Sequence, residues 1–301
     1  MSVRRHSLWE WWDGFWFVPG SAKDLAAARI VLSVHALWIV LSRDLAGASG
    51  LPREFWLGVR SADRWRYLVF PGHPALEHGL QVALVAGLVM VALGVRVRAT
   101  ALIAALLLYH LAPLETLIWT PSPYERGLEI STLSMVVLAI APSADAWGLA
   151  ARQPRTDGQP SWEYRWPLVL LQLFVAQAYL FSGYSKLYRV GWGWVSAANL
   201  RHWLLVFNQE DQIAVFHALG RWIADRPTLC LAVAVGTLAF DLSFIVVVLW
   251  KRARIVYLPL ALVFHAGILF SMNIAFLNVP QLLLFVDWDR LTTSRPAERG
   301  D

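Results

Sequence analysis

Cysteine occurs once in this 301-residue chain, at Cys230 inside an apolar run. A disulfide framework, a CxxC redox pair and a thiolate metal site each need more than one, so dithiol chemistry carried by this chain alone is excluded. Charge is scarce as well. Asp, Glu, Lys and Arg make up 16% of residues, against 57% hydrophobic residues and a mean hydropathy of +0.50. A soluble globule carries about a quarter charged residues, so that class is excluded. His202, His217 and His265 stand apart, with no HxxxH or HExxH spacing and no carboxylate in register, and no metal is expected. No Walker-type loop occurs and no GxGxxG sits between a strand and a helix, which leaves nucleotide binding without support. Ser182 in FSGYS is not a GxSxG elbow, so a Ser-His-Asp hydrolase is not indicated either. There is no repeat and no low-complexity tract.

What the chain does have is one apolar run after another. It predicts an all-α, polytopic integral membrane helical bundle of about eight transmembrane helices plus interfacial helices. The expected spans are 25–41, 79–95, 100–119, 127–141, 166–186, 227–250, 255–272 and 274–288. Residues 187–226 are too polar to span and are expected to form re-entrant or interfacial pieces. Residues 1–22 form a Trp-rich interfacial segment, in which LWEWWDGFWF suits a short helix in the headgroup layer and does not read as a cleaved signal peptide. Residues 23–290 form the transmembrane domain and 291–301 a polar tail.

The net charge of +5 comes from short Arg-rich loops, which favours membrane orientation over nucleic acid binding. With a cytoplasmic N-terminus, eight spans put Arg96 and Arg98, Arg152 and Arg155, Lys251 to Arg254 and the C-terminal arginines on the cytoplasmic side, with both termini there. The expected location is a bacterial-type inner membrane. Arg53, Arg60, Arg64, Arg189, Arg201 and Arg226 then fall in outer loops, which are expected to bind something anionic or fold back onto the membrane.

The stretch Tyr179 to Trp203, YLFSGYSKLYRVGWGWVSAANLRHW, carries the candidate chemistry. Steps of three and four place Gln172, Ala176, Tyr179, Gly183 and Lys186 on one helical stripe, with Leu170, Leu171, Phe174, Val175, Leu180 and Phe181 on the other faces. A small-and-polar stripe on a greasy helix faces protein or a cavity. Lys186 is then a base kept neutral by desolvation, an ion-pair member, or a snorkelling anchor. Mid-span His265 is interhelical glue or a functional group. Asp241, near the middle of a span, must be protonated, paired with Arg or Lys, or facing water. Glu129, His110 and Glu115 raise the same question less sharply, and Arg29 could be a headgroup contact.

FSGYSKL, then GWGW and LRHWL, resemble the central motif of the horizontally transferred transmembrane (HTTM) domain, the membrane part of vitamin K-dependent gamma-glutamyl carboxylases. Phe264-His265 with Ser271 and Phe276, and LAAARIVLSVHALW near the start, are similar to that family's late and first helices, so the likeness spans residues 24–288. The resemblance implies that Lys186 is the base that deprotonates vitamin K hydroquinone. Oxygen then adds, the alkoxide formed removes a glutamate γ-proton, and the carbanion takes up carbon dioxide. It implies a quinone or hydroquinone cofactor with O2 and CO2, no metal, and contact with membrane lipids. Tyr179, His202, Trp203, His265 and Asp241 are the expected substrate-binding residues, and Asp145 stands where the family has a loop histidine. A protein or peptide substrate on the outer side is the implied partner. The carboxylases continue into a large extracytoplasmic region that engages this substrate, whereas this sequence ends shortly after its last span. Quinol-linked chemistry is thus the part expected to carry over. Two other readings stand beside it: a non-enzymatic membrane partner or export helper that retains the fold, and a quinone-reducing subunit working with a separate thiol protein.

Overall fold

The computed structural model describes residues 8–58, 71–116, 125–149, 159–208 and 214–292. All named elements among them are helices, and the chain divides into two units, Met1–Leu171 with Val286–Asp301, and Gln172–Phe285.

The first unit opens with α1 (Leu8–Trp16) and α2 (Ala22–Leu41). Ser21 caps α2, its hydroxyl accepting from Lys23 N at 3.2 Å, which satisfies one of the donors that a helix start leaves without a partner. A 3-10 turn at Gly47–Gly50 and short α3 (Arg53–Gly58) come next. The unit continues with α4 (Pro74–Ala92), α5 (Val97–Thr116) and α6 (Glu125–Ile140). Pro74 sits in the first turn of α4, where its missing N–H costs nothing. These helices pack α4 against α2 and α5, and α6 against α5 and α2. The corner between α4 and α5 turns through Gly94 at φ +75°. A Cβ there would also lie 2.5 Å from the Cα of Gly148, so glycine is required twice over.

Arg29 of α2 is fully buried beside that corner. Its guanidinium donates to the carbonyls of Ser143 (2.5 Å), Ala146 (3.3 Å) and Trp147 (2.8 Å), tying the loop after α6 to α2. This is a knot inside protein and not a headgroup contact. In the first turn of α4, buried Glu77 accepts from Gly72 N (2.6 Å) and meets His110 Nε2 of α5 at 2.7 Å. Gly20 and Ser161 exchange two backbone hydrogen bonds and join the start of α2 to the start of α7 (Trp162–Val190), the longest helix described.

The second unit begins within α7 and continues through a 3-10 turn (Gly191–Trp194), α8 (Ala197–Val206), α9 (Ala214–Ala224) and α10 (Pro227–Ser243). After α11 (Val246–Leu249) and a 3-10 turn at Lys251–Ala253 comes α12 (Arg254–Met272). A core of Leu200, Leu204, Ala224, Cys230 and Ala234 holds α8, α9 and α10 together. Arg254 donates to Val247 O (2.9 Å), Phe285 O (3.2 Å) and Gln172 Oε1 (3.0 Å), and Gln172 donates to Leu284 O (2.7 Å). One arginine thus joins α7, α11, α12 and the segment after α12.

Among the described residues, five helices are long and apolar enough to cross a membrane: Ala22–Leu41, Pro74–Ala92, Val97–Leu114, Trp162–Trp194 and Lys251–Met272. Ala218–Ala224 with Pro227–Ser243 forms a sixth crossing if that pair, bent by 103° at Asp225-Arg226, counts as one. The piece before the bend falls in the region that the sequence reads as re-entrant. The sequence-predicted fourth span is a shorter apolar helix, Leu128–Ile140. The predicted eighth, 274–288, is no long helix. Asn273 turns into the left-handed region (φ 54°) and ends α12, and the chain then forms a 3-10 stretch, Val279–Phe285, containing Pro280. Seven residues at the 3-10 rise cover only about 14 Å, half a hydrocarbon core. The apolar run there reflects burial within protein, with Gln281, Leu282, Leu284 and Phe285 all buried.

After this stretch, α13 (Trp288–Thr292) returns to the first unit, where Asp289 N donates to Asp24 Oδ1 at 3.1 Å and Lys23 pairs with Asp289 at 3.4 Å.

Candidate functional site

The small-and-polar stripe of α7 sets the site in the second unit. Each of its members meets protein. Gln172 holds Leu284 and Arg254, and Ala176 is fully buried. One turn on, the Tyr179 hydroxyl lies 2.8 Å from His265 Nε2 of α12. Its ring packs on Phe244 (4.0 Å between centroids), just past the end of α10, and edge-on to Phe240 (5.7 Å) of α10. At Gly183, α10 comes close. A Cβ on it would stand 2.8 Å from Leu242 Cδ2 and 3.0 Å from Asp241 Cβ, both inside normal contact. That approach brings Asp241 to the next stripe position, and Lys186 Nζ donates to its carboxylate.

Charge and burial divide unevenly across this pair. The Asp241 side chain is 2% exposed and that of Lys186 21%. A carboxylate so enclosed is tolerated only because the ammonium compensates it, since removing two charges from water costs several kcal/mol each. The amine also stands 4.7 Å from the ring centroid of Trp194, in the 3-10 turn just after α7, where the ring face attracts a cation. Of the three states open to Lys186 from sequence, the ion pair is the one observed, and Asp241 is paired rather than facing water.

A second cluster surrounds the Tyr179 to His265 hydrogen bond. The His265 ring touches Phe264 (5.3 Å between centroids) and Phe276 (5.1 Å), and Phe240 packs tilted against Phe264 (4.6 Å). His265 Nδ1 is enclosed with no hydrogen-bond partner among the described residues. Tyr179, Lys186, Asp241 and His265 are therefore brought onto facing sides of α7, α10 and α12.

The remaining candidates lie elsewhere. His202 and Trp203 are on the exposed side of α8, their rings in contact at 5.4 Å, with Trp203 stacked on Phe207. The opposite side of α8, Leu200 and Leu204, enters the core, so the predicted pocket role of His202 and Trp203 has no packing behind it. Asp145 belongs to the first unit, where it accepts from the Tyr164 hydroxyl at 3.0 Å. Sequence reasoning missed Trp194 as the cover of the amine and Phe240 and Phe244 as the walls around Tyr179. Their signal was present: Phe240 and Phe244 lie four apart and flank Asp241 in AFDLSF, the spacing of one helical face.

A bundle with five long apolar helices and an ionic cluster on facing helices defines an integral membrane protein of the all-helical, polytopic class. The chain belongs to the HTTM domain family, whose match runs over residues 19–289, nearly its whole length. No curated protein and no solved structure matches it.

Proposed function

We propose that this chain is a membrane enzyme acting on a lipid-soluble quinol or similar redox ring, with the Lys186–Asp241 pair as its proton acceptor. The observation that carries the proposal is the pair's asymmetry: the carboxylate is sealed in protein while the amine keeps partial exposure. Membership of the family that includes carboxylase membrane domains supports the substrate class.

The residues present fit an aromatic diol. An ammonium can hold an oxygen, Trp194 lies beside it, and Tyr179 with His265 sits two turns earlier on α7, about 10 Å along the axis. A bound quinol supplies an acidic hydroxyl. The pair takes that proton as a unit. Either the Asp241 carboxylate receives it while Lys186 stays charged, or Lys186 first hands its own proton to Asp241 and then accepts one as a neutral amine. Both routes take the pair from zero to one positive charge, which balances the oxygen left negative. Lys186 acts here together with Asp241 and not alone, because its amine is hydrogen-bonded to that carboxylate. A vitamin K-like carboxylase or epoxidase reaction, with O2 and CO2 and a peptide on the outer side, is the finer form of this proposal.

The same ion pair favours a second reading, a non-enzymatic helper in which Lys186–Asp241 is only a clamp between α7 and α10. Turnover of a reduced naphthoquinol in proteoliposomes separates the two. The enzyme reading expects it in the parent protein and a fall of at least about 100-fold in Asp241→Asn, since both routes place a proton on that carboxylate. Lys186→Arg preserves the clamp but cannot act as a base, so a similar fall there marks the lysine route and retained turnover the carboxylate route. No turnover in the parent protein would favour the helper, and turnover indifferent to Asp241→Asn would overturn the pair as proton acceptor.

For orientation, we place both termini on the cytoplasmic side of a bacterial-type inner membrane. The Asp24 to Asp289 contact, between the start of the first crossing and the stretch after the last, supports one face for both ends and hence an even number of crossings. The basic cluster at Arg96 and Arg98, between the second and third crossings, then favours the inside for that face.

A further inference from the structure

The family match begins at residue 19, so α1 lies outside the shared domain. Its nine residues bury none of their side chains. At 3.6 residues per turn, Leu8, Trp9, Trp11, Trp12, Phe15 and Trp16 occupy one arc of about 160°, and Glu10, Asp13 and Gly14 the opposite side. The aromatic face is open over most of its length: Leu8 is 86% exposed, Trp9 77%, Trp11 56% and Trp12 46%, and only Phe15 and Trp16 are half-buried. In water such a face is unfavourable, so something of matching chemistry covers it.

The position of α1 identifies that cover. Five residues separate it from α2, a linker reaching at most about 17 Å. Phe17 packs edge-on to Trp162, the first residue of α7, at 5.9 Å, and the Gly20–Ser161 bridge joins the two span starts. α1 is therefore held at the start of two helices long and apolar enough to cross a membrane, and tryptophan is enriched where such helices meet the headgroups.

We propose that α1 is an in-plane anchor whose aromatic face docks in the headgroup layer of the bilayer at the end where α2 and α7 begin. The only charges in the helix are Glu10 and Asp13, on the far side, so docking is driven by aromatic partition and not by attraction to anionic lipid.

The test places single cysteines at Leu8→Cys, Trp12→Cys, Glu10→Cys and Asp13→Cys in a Cys230→Ala background and labels them with bimane in proteoliposomes. The vesicles are phosphatidylcholine, with and without phosphatidylglycerol, and the quenchers are a headgroup-region nitroxide lipid and aqueous iodide. The expected result is severalfold stronger nitroxide quenching at 8 and 12 than at 10 and 13. Iodide should show the reverse, and neither salt nor phosphatidylglycerol should alter the pattern. Equal iodide quenching at all four positions would overturn the proposal by placing α1 in water. Shielding of 8 and 12 from both quenchers would overturn it by showing a protein surface over that face, and disappearance of the pattern in high salt would show electrostatic docking instead.

Discussion

Replacing one partner of the Lys186–Asp241 pair should cost far more than replacing both. Lys186→Met keeps the stem volume and deletes the charge, leaving the Asp241 carboxylate, 2% exposed, without its ammonium. Removal of one partner from a buried pair destabilises by about 3–5 kcal/mol. The lower end applies because Lys186 is 21% exposed, so water already screens part of the attraction. Asp241→Leu leaves an amine that can turn outward along its own stem, so its cost should be smaller, about 1–3 kcal/mol. In Lys186→Met with Asp241→Leu both charges are gone and the gap is filled by apolar groups, which is near neutral in buried pairs. The cycle therefore predicts a coupling of at least about 3 kcal/mol, read from reversible unfolding of the four proteins in matched detergent or bicelles. Additive costs, or single variants within about 0.5 kcal/mol of the parent, would refute the buried pair itself.

The packing predicts four other outcomes. Gly183→Ala puts a methyl 2.8 Å from Leu242 and 3.0 Å from Asp241 Cβ, so α10 must move outward. It should lose about 1–3 kcal/mol in thermal unfolding and weaken the coupling of the charge pair. Tyr179→Phe removes a hydroxyl that meets His265 Nε2 and leaves a second enclosed ring nitrogen without that bond; a loss of about 1–3 kcal/mol is expected in the same assay. Arg29→Met strips three carbonyls of their donor in a fully enclosed place and should cost about 3 kcal/mol or more, with protease cutting appearing in the 143–147 loop. Gly94→Ala combines a positive φ with a 2.5 Å approach to Gly148, and folded yield by size exclusion should fall sharply.

Much of the fold was legible because hydropathy and helical spacing are local signals. The stripe from Gln172 to Lys186 shows this best: small and polar residues on a greasy helix turned out to meet α10, α12 and the 3-10 segment. The last predicted span failed because an apolar run reports burial, not crossing, and Asn273 and Pro280 break the helix. The pairing of Lys186 with Asp241 joins residues 55 apart in sequence, and no spacing rule reveals such a partner. His202 and Trp203 were drawn into the site by closeness in sequence, yet the period of α8 turns them outward while Leu200 and Leu204 go in. Arg29 resembled a headgroup contact because a charge near a helix start normally seeks the interface. Its real partners are backbone carbonyls supplied more than 110 residues later.

The central claim is that the Lys186–Asp241 pair takes a proton from a quinol. Infrared difference spectra of the protein in bilayers, recorded on addition of a reduced naphthoquinol, test it most directly. A carboxylate band that gives way to a protonated carboxyl, or an ammonium and carboxyl change shared by the pair, is the predicted result, absent in Asp241→Asn. An Asp241 carboxylate that stays ionised and undisturbed in a protein that binds the quinol would contradict it.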